Sequence, residues 1–192
     1  MSVKKSDAIY HERQSLELCC LHVLNNLFQA HVFDKAGLDE ICKNLSPDSY
    51  RFWNPHRSCL GLGNYDVNVL FAALQVKDCA AVWFDKRKSP TCLDLNNVIG
   101  FVLNIPSEPK VGPLKIPFVK RRHWLAIREI AGGYFNLDSK LSQPELIGDA
   151  CDLLTYLEQK LVDAETQIFV VVSGQASSDQ SYLLPAYRSL GD

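Results

Sequence analysis

A chain of 192 residues, 47% hydrophobic and 22% charged, can close one sizeable core and leaves little for a second independent domain. Twenty basic against twenty-two acidic residues leave a formal charge of -2, so no global field exists for gripping nucleic acid or an anionic membrane, and partners must be recognised locally. The seven cysteines lack paired spacing apart from the adjacent Cys19 and Cys20, and "MSVKKSDA" has no apolar stretch behind its lysines. The longest apolar runs, such as "IFVVV" at 168–172, have strand length. Together these point to mostly free thiols, a cytoplasmic or nuclear location, no secretory signal and no transmembrane segment.

In chain order, the first predicted element is an amphipathic helix from about Leu16 to Gln29, with Leu21, Leu24, Leu27 and Phe28 at helical spacing. Asp34 caps a second helix over "KAGLDEICKNL", whose stripe is Leu38, Ile41, Cys42 and Leu45. A loop at 48–63 follows, and Asn64 is expected to cap a third helix, "YDVNVLFAALQ". From Cys79 the pattern changes to the strands "CAAVWF", "VIGFVLNI", "HWLAIREI", "YFNL" and "QIFVVV", with one helix, "DACDLLTYLEQKL", capped by Asp149 before the last strand. A helical N-terminal part packed on a mostly antiparallel sheet is an α+β plan. The expected organisation is a disordered N-terminus at 1–8, a folded domain at 9–173 and a flexible tail at 174–192.

Within "ELCCLHVLNN" the helical wheel sets Cys20 about 50° from the apolar centre and Cys19 about 150° away. Cys20 belongs with the core. Cys19 lies in the first turn, where unpaired N–H groups and the helix dipole favour a thiolate. Most intracellular cysteines are simply packed thiols, so position alone does not make Cys19 a nucleophile. A metal reading of Cys19 and His22 needs a second closely spaced pair, and none occurs, so no metal is expected. His22 is better read as a structural hydrogen-bond former beside the helix.

A base for Cys19 is available in "KRRHWLAIREIAGGYFNLDSKL", where His123 begins one strand and Asp138 ends the next. A thiol needs an imidazole to take its proton and a carboxylate to fix the imidazole tautomer. Two registers are open. A reversal centred between Ile130 and Ala131 sets His123 opposite Asp138. With Gly132-Gly133 as the turn, His123 sits four residues off, roughly 13 Å along the strand. Only the earlier turn, or a bulge, would bring the pair into contact, and one of these is expected. Taken singly, His123 reads as a strand-edge histidine and Asp138 as a turn-capping aspartate; the joint arrangement gives them weight. Gln14, five residues before Cys19, could donate alongside the Cys19 N–H to an oxyanion.

The strings "IYHERQSLELCCLHVLNN", "GNYDVNVLFAALQ", "HWLAIRE" and "YFNLDSKL...PELIGD" resemble, in this order, the Josephin family of deubiquitinating cysteine proteases. The resemblance spans roughly residues 9 to 173. It implies a papain-like fold, a nucleophile at Cys19, a base at His123, an orienting residue at Asp138 and an oxyanion-hole glutamine at Gln14. Some family members carry asparagine at the place of Asp138, and many carry alanine at the place of Cys20. The implied reaction is hydrolysis of the isopeptide bond at the C-terminal glycine of ubiquitin through a Cys19 thioester, by a monomer without metal or organic cofactor. Trp124 stands between two roles, lining the substrate cleft or packing in the core. A competing reading is a ubiquitin-binding module of the same fold with weak or no turnover; a third is a transglutaminase-like or amidohydrolase enzyme with the same thiol chemistry.

Overall fold

The computed structural model describes residues 9–14, 18–46, 65–107, 110–111, 114–115 and 121–188. The expected disordered stretch at 1–8, the loop at 48–63 and the Asn64 cap fall outside these. The helix expected from about Leu16 begins at Cys19, as α1 (Cys19–Phe28). In α2 (Lys35–Leu45), Asp34 takes the predicted capping role, accepting from the Gly37 N–H. Asp66 caps α3 (Val67–Val76) through the amides of Asn68 and Val69.

The strands are β1 (Cys79–Trp83), β2 (Gly100–Ser107), the short hairpin β3 (Lys110–Val111) and β4 (Leu114–Lys115), β5 (Arg121–Ile130), β6 (Gly133–Asn136), β7 (Glu145–Gly148) and β8 (Gln167–Ser173). Six of them form one sheet in the order β1-β8-β2-β5-β6-β7, antiparallel at every pairing. The C-terminal strand β8 therefore inserts between β1 and β2, where both of its faces are covered. This accounts for the unbroken apolar run "IFVVV", which an exposed sheet face would have interrupted with polar residues. Alternation sorts the side chains. Val102, Trp124, Ala126, Phe169 and Val171 pack with α1 and α3, while Phe101, Leu103, Leu125, Ile127, Ile168 and Val170 face the opposite core. That second core is closed by Leu153 and Leu157 of α4 (Ala150–Leu161). Each fully buried leucine contributes about 2 kcal/mol of transfer free energy.

Gly100 allows α1 to approach the sheet. A Cβ there would lie 2.6 Å from the Ile127 carbonyl oxygen and 2.7 Å from a Leu27 methyl, so any side chain would push the helix off.

Two expectations need correction. Gly174 does not open a flexible tail within the described residues. Residues 174–178 form α5 (Gly174–Ser178), capped by Ser173, and Leu183 bridges to Leu93 and enters the second core. The apolar Ala176, Tyr182 and Leu183 supply the burial that the Ser/Gln-rich composition concealed. The β5–β6 hairpin turns on neither anticipated reversal. Ile130 pairs with Gly133 and Ile127 with Asn136, so Ala131 and Gly132 form the turn, at φ of 53° and 87°. No described helix is long and apolar enough to cross a membrane.

Candidate active site

The hairpin register sets Asp138 two residues off from His123, a diagonal rather than a direct pairing. Contact is nevertheless made. The ladder of β6 ends at Asn136, only the Leu137 amide continues it by donating to the Ala126 carbonyl at 2.8 Å, and the chain then turns away. The turn at Asp138 is held by its own amide on Asn136 Oδ1 and by the Lys140 amide on Asp138 Oδ1. The imidazole, long enough to span the diagonal, brings His123 Nε2 to 2.6 Å from Asp138 Oδ1. The earlier turn was not needed, and the bulge present lies between β6 and β7 rather than in this hairpin. His123 is only 2% exposed.

Burial acts most strongly on the Asp138 carboxyl and would raise its pKa. The hydrogen bond from His123, its charge, the Lys140 amide and the Lys140 ammonium outweigh it and hold the group below the usual carboxylate range. An ionised Asp138 accepts a hydrogen bond from Nε2–H, which leaves Nδ1 as the ring nitrogen able to exchange a proton elsewhere.

Cys19 is the first residue of α1. The preceding residue, Leu18, makes no side-chain cap, whereas α2, α3, α4 and α5 are each closed by an aspartate or serine. The Cys20 N–H in this first turn is directed at the Cys19 sulfur, where a helix start favours an anion. On β5 the Ala126 carbonyl points toward β6, and by the two-residue period the Trp124 N–H points the same way, into the gap where β6 has departed. The Cys19 sulfur lies within hydrogen-bonding reach of this amide, at the residue following His123. The thiol therefore fills the ladder position that β6 vacates. Burial, at 5% exposure, pushes the Cys19 thiol up, while the amides of Trp124 and Cys20 and the Lys140 ammonium pull the other way without cancelling it. Cys20 is fully buried and its thiol is raised further, by burial first and by the neighbouring Cys19 and Cys42. The wheel separated the two cysteines; in the fold α1 is enclosed on nearly every side, and both sit in the core.

Gln14 reaches this region by its backbone, donating to the Ser139 carbonyl at 2.7 Å, so the segment 9–14 is laid beside the Asp138 turn. His11 Nε2 on the Asp138 carbonyl at 3.0 Å adds a second tie. Trp124 resolves to the core role. It is 4% exposed and stacks against Phe169 with centroids 5.9 Å apart, on the sheet face that α1 covers, so the cleft-lining expectation is replaced by packing.

His22 has the structural role expected of it, its Nδ1 donating to Glu12 Oε2 at 2.7 Å. Glu12 itself was missed. Its carboxylate also receives Tyr10 Oη, Asn25 Nδ2 and His31 Nδ1. Burial would raise its pKa, and these four partners together hold it below its ordinary value. Beside so acidic a group the Tyr10 phenol, raised first by its own burial, is pushed up to about 12. Among the described residues no group of three or more His, Cys, Asp or Glu side chains is arranged to hold a metal ion.

The Josephin family model matches residues 14–172. The chain belongs to the Josephin family. This is a family of the cysteine-protease deubiquitinase type, and the α+β arrangement is its papain-like one. The chain is 47% identical over 175 residues to human Josephin-2, covering 91% of this chain and 92% of that protein. It is 46% identical over 187 residues to a Josephin-like protein of Drosophila melanogaster, covering 94% of this chain and 82% of the other. Human ataxin-3 is 27% identical over 206 residues, 95% of this chain and 50% of its own length. Among solved structures, the catalytic domain of Trichinella spiralis UCH37 bound to ubiquitin vinyl methyl ester aligns with a TM-score of 0.37 and 13% identity, over 90% of this chain and 69% of that one.

Proposed function

We propose that this chain is a thiol-dependent deubiquitinase that hydrolyses the isopeptide bond at the C-terminal glycine of ubiquitin. The observation that carries the reading is the His123–Asp138 pair at 2.6 Å, with the Cys19 sulfur at the start of α1 bonded to the amide of the residue after His123. Ubiquitin as the substrate comes from family membership.

In this mechanism His123 Nδ1 takes the Cys19 proton as the sulfur attacks the glycine carbonyl. The Asp138 carboxylate holds Nε2–H and stabilises the imidazolium. The oxyanion of the tetrahedral intermediate is received by the Cys19 N–H at the start of α1 and by the Gln14 side-chain amide; one such donor is worth about 3 kcal/mol. The intermediate collapses as His123 returns the proton to the leaving lysine amine, and ubiquitin remains as a thioester on Cys19. Water, deprotonated by His123, then adds to the thioester, releasing the ubiquitin carboxylate and restoring the thiol.

The test is turnover of an isopeptide-linked ubiquitin conjugate, with binding measured in parallel. Asp138→Ala should lower kcat about 100-fold with ubiquitin affinity nearly unchanged. A large loss of affinity would make Asp138 a contact residue instead. A second reading, a ubiquitin-binding module with weak or no turnover, draws on the burial and raised thiol of Cys19. Binding without hydrolysis by the wild-type chain would select it.

A further inference from the structure

Asn26 lies in the last turn of α1 and is fully buried, where a polar amide is costly unless it is partnered. Its side chain points not into solvent but between two other parts of the chain. Oδ1 accepts the Glu12 N–H at 2.6 Å, while Nδ2 donates to the Glu12 carbonyl at 3.2 Å and to the Leu137 carbonyl at 3.0 Å. Both amide protons are used, and they go to different segments. Glu12 is two residues before Gln14, and Leu137 immediately precedes Asp138. Asn26 itself is carried on the helix that Cys19 begins.

We propose that Asn26 is a positioning residue that fixes the oxyanion segment, the nucleophile's helix and the Asp138 turn in one register. The proposal rests on the hydrolase reading above and adds to it a residue remote from the reacting atoms. Only a planar amide fits the position. A carboxylate could accept from Glu12 but could donate to neither carbonyl, and an aliphatic side chain would leave the buried Leu137 carbonyl and the half-buried Glu12 N–H and carbonyl without this partner. The same segment is tied along its length by other side chains. Gln29 exchanges two hydrogen bonds with the Tyr10 backbone, at 3.1 and 3.0 Å, and the Glu12 carboxylate is held by His22 and Asn25. These ties bind the segment to α1 and its C-cap; Asn26 also reaches Leu137, one residue past the end of β6. The Asp138 turn and Gln14 meet again at the Ser139 carbonyl, which closes the loop of contacts.

The experiment combines hydrogen exchange with kinetics on a ubiquitin C-terminal fluorogenic amide, using Asn26→Asp and, as a milder variant, Asn26→Ser. In folded variants the amides of Glu12 and Gln14 should exchange faster while those of β8 keep their protection. The kcat should fall roughly 100-fold with KM little changed, the cost of a displacement on the order of 1 Å at the reacting centre. In a Gln14→Ala background the same substitution should cost clearly less, because part of its effect passes through Gln14. Unaltered exchange in a folded variant, released segments with full turnover, or equal losses in both backgrounds would each overturn the proposal. If neither variant folds, the wild type decides. The Glu12, Gln14 and Leu137 amides should open together with one common protection, and protections that differ more than about 100-fold would refute it. A wild-type chain whose Cys19 never reacts with a ubiquitin electrophile would sink the hydrolase reading, leaving the exchange data to judge Asn26.

Discussion

Helices α1 and α4 are similar in length and differ in how each end and face is satisfied. The N-terminus of α4 is closed by a capping box between Asp149 and Asp152, its face shows Leu153 and Leu157 to the core, and the rest meets solvent. Nothing is missing from it. The N-terminus of α1 opens on Leu18 without a side-chain cap, and its buried surface includes His22, Asn25 and Asn26. A cap is worth about 1 kcal/mol, so α1 forgoes stability at the place where the proposed hydrolase would receive an oxyanion. The buried asparagines, which would be costly if left unpartnered, instead tie distant chain segments together. One helix is built for stability, and the other carries the candidate nucleophile.

The largest effect that would sharpen this contrast is on activity. His123→Ala should lower kcat about 1000-fold, about 4 kcal/mol on the barrier, with unfolding midpoints close to wild type in a denaturant titration. Loss of folding with no separate catalytic effect would blur the distinction between the regions. On the α4 side, Leu153→Ala should cost about 3 kcal/mol of stability through its cavity, while residual folded protein keeps its kcat. A kcat change there would mean that the two regions are coupled.

A smaller effect depends on pH. Glu12 and Asp138 both have lowered carboxyl values in the fold, so the stability they contribute is present above the ordinary carboxylate pKa of about 4 and is lost as pH falls through their lowered values. Glu12→Gln should flatten the acid limb of a stability–pH curve measured by chemical denaturation. An unchanged limb would show that the cluster around Glu12 contributes no proton linkage.

Local signals made α2, α4 and the central strands legible, because caps such as Asp34 and Asp149 and the apolar runs act within a few residues. The elements that escaped depend on partners far along the chain. β7 is an edge strand with Glu145 and Leu146 exposed, so "ELIG" has no buried alternation to read. The Asn26 and Glu12 bonds join segments up to 111 residues apart, beyond any local pattern. At the candidate site, the meeting of His123 and Asp138 could be anticipated from residue type and spacing, and the turn between them could not. Ala131 adopts the left-handed conformation that favours glycine, and the neighbouring "GG" drew attention one residue too far. Ala131→Gly should therefore gain about 1 kcal/mol with the register intact, read from thermal unfolding and the His123–Asp138 contact in NMR; a slipped register would show that Ala131 selects the turn.

The account stands on the sulfur of Cys19, rather than that of its neighbour, being the atom that meets ubiquitin. Reaction of the wild-type chain with ubiquitin carrying a C-terminal electrophile, followed by peptide mapping, measures this directly. One adduct, on Cys19, lost in Cys19→Ala and kept in Cys20→Ala, is the predicted result. An adduct that persists in Cys19→Ala and vanishes in Cys20→Ala would contradict it.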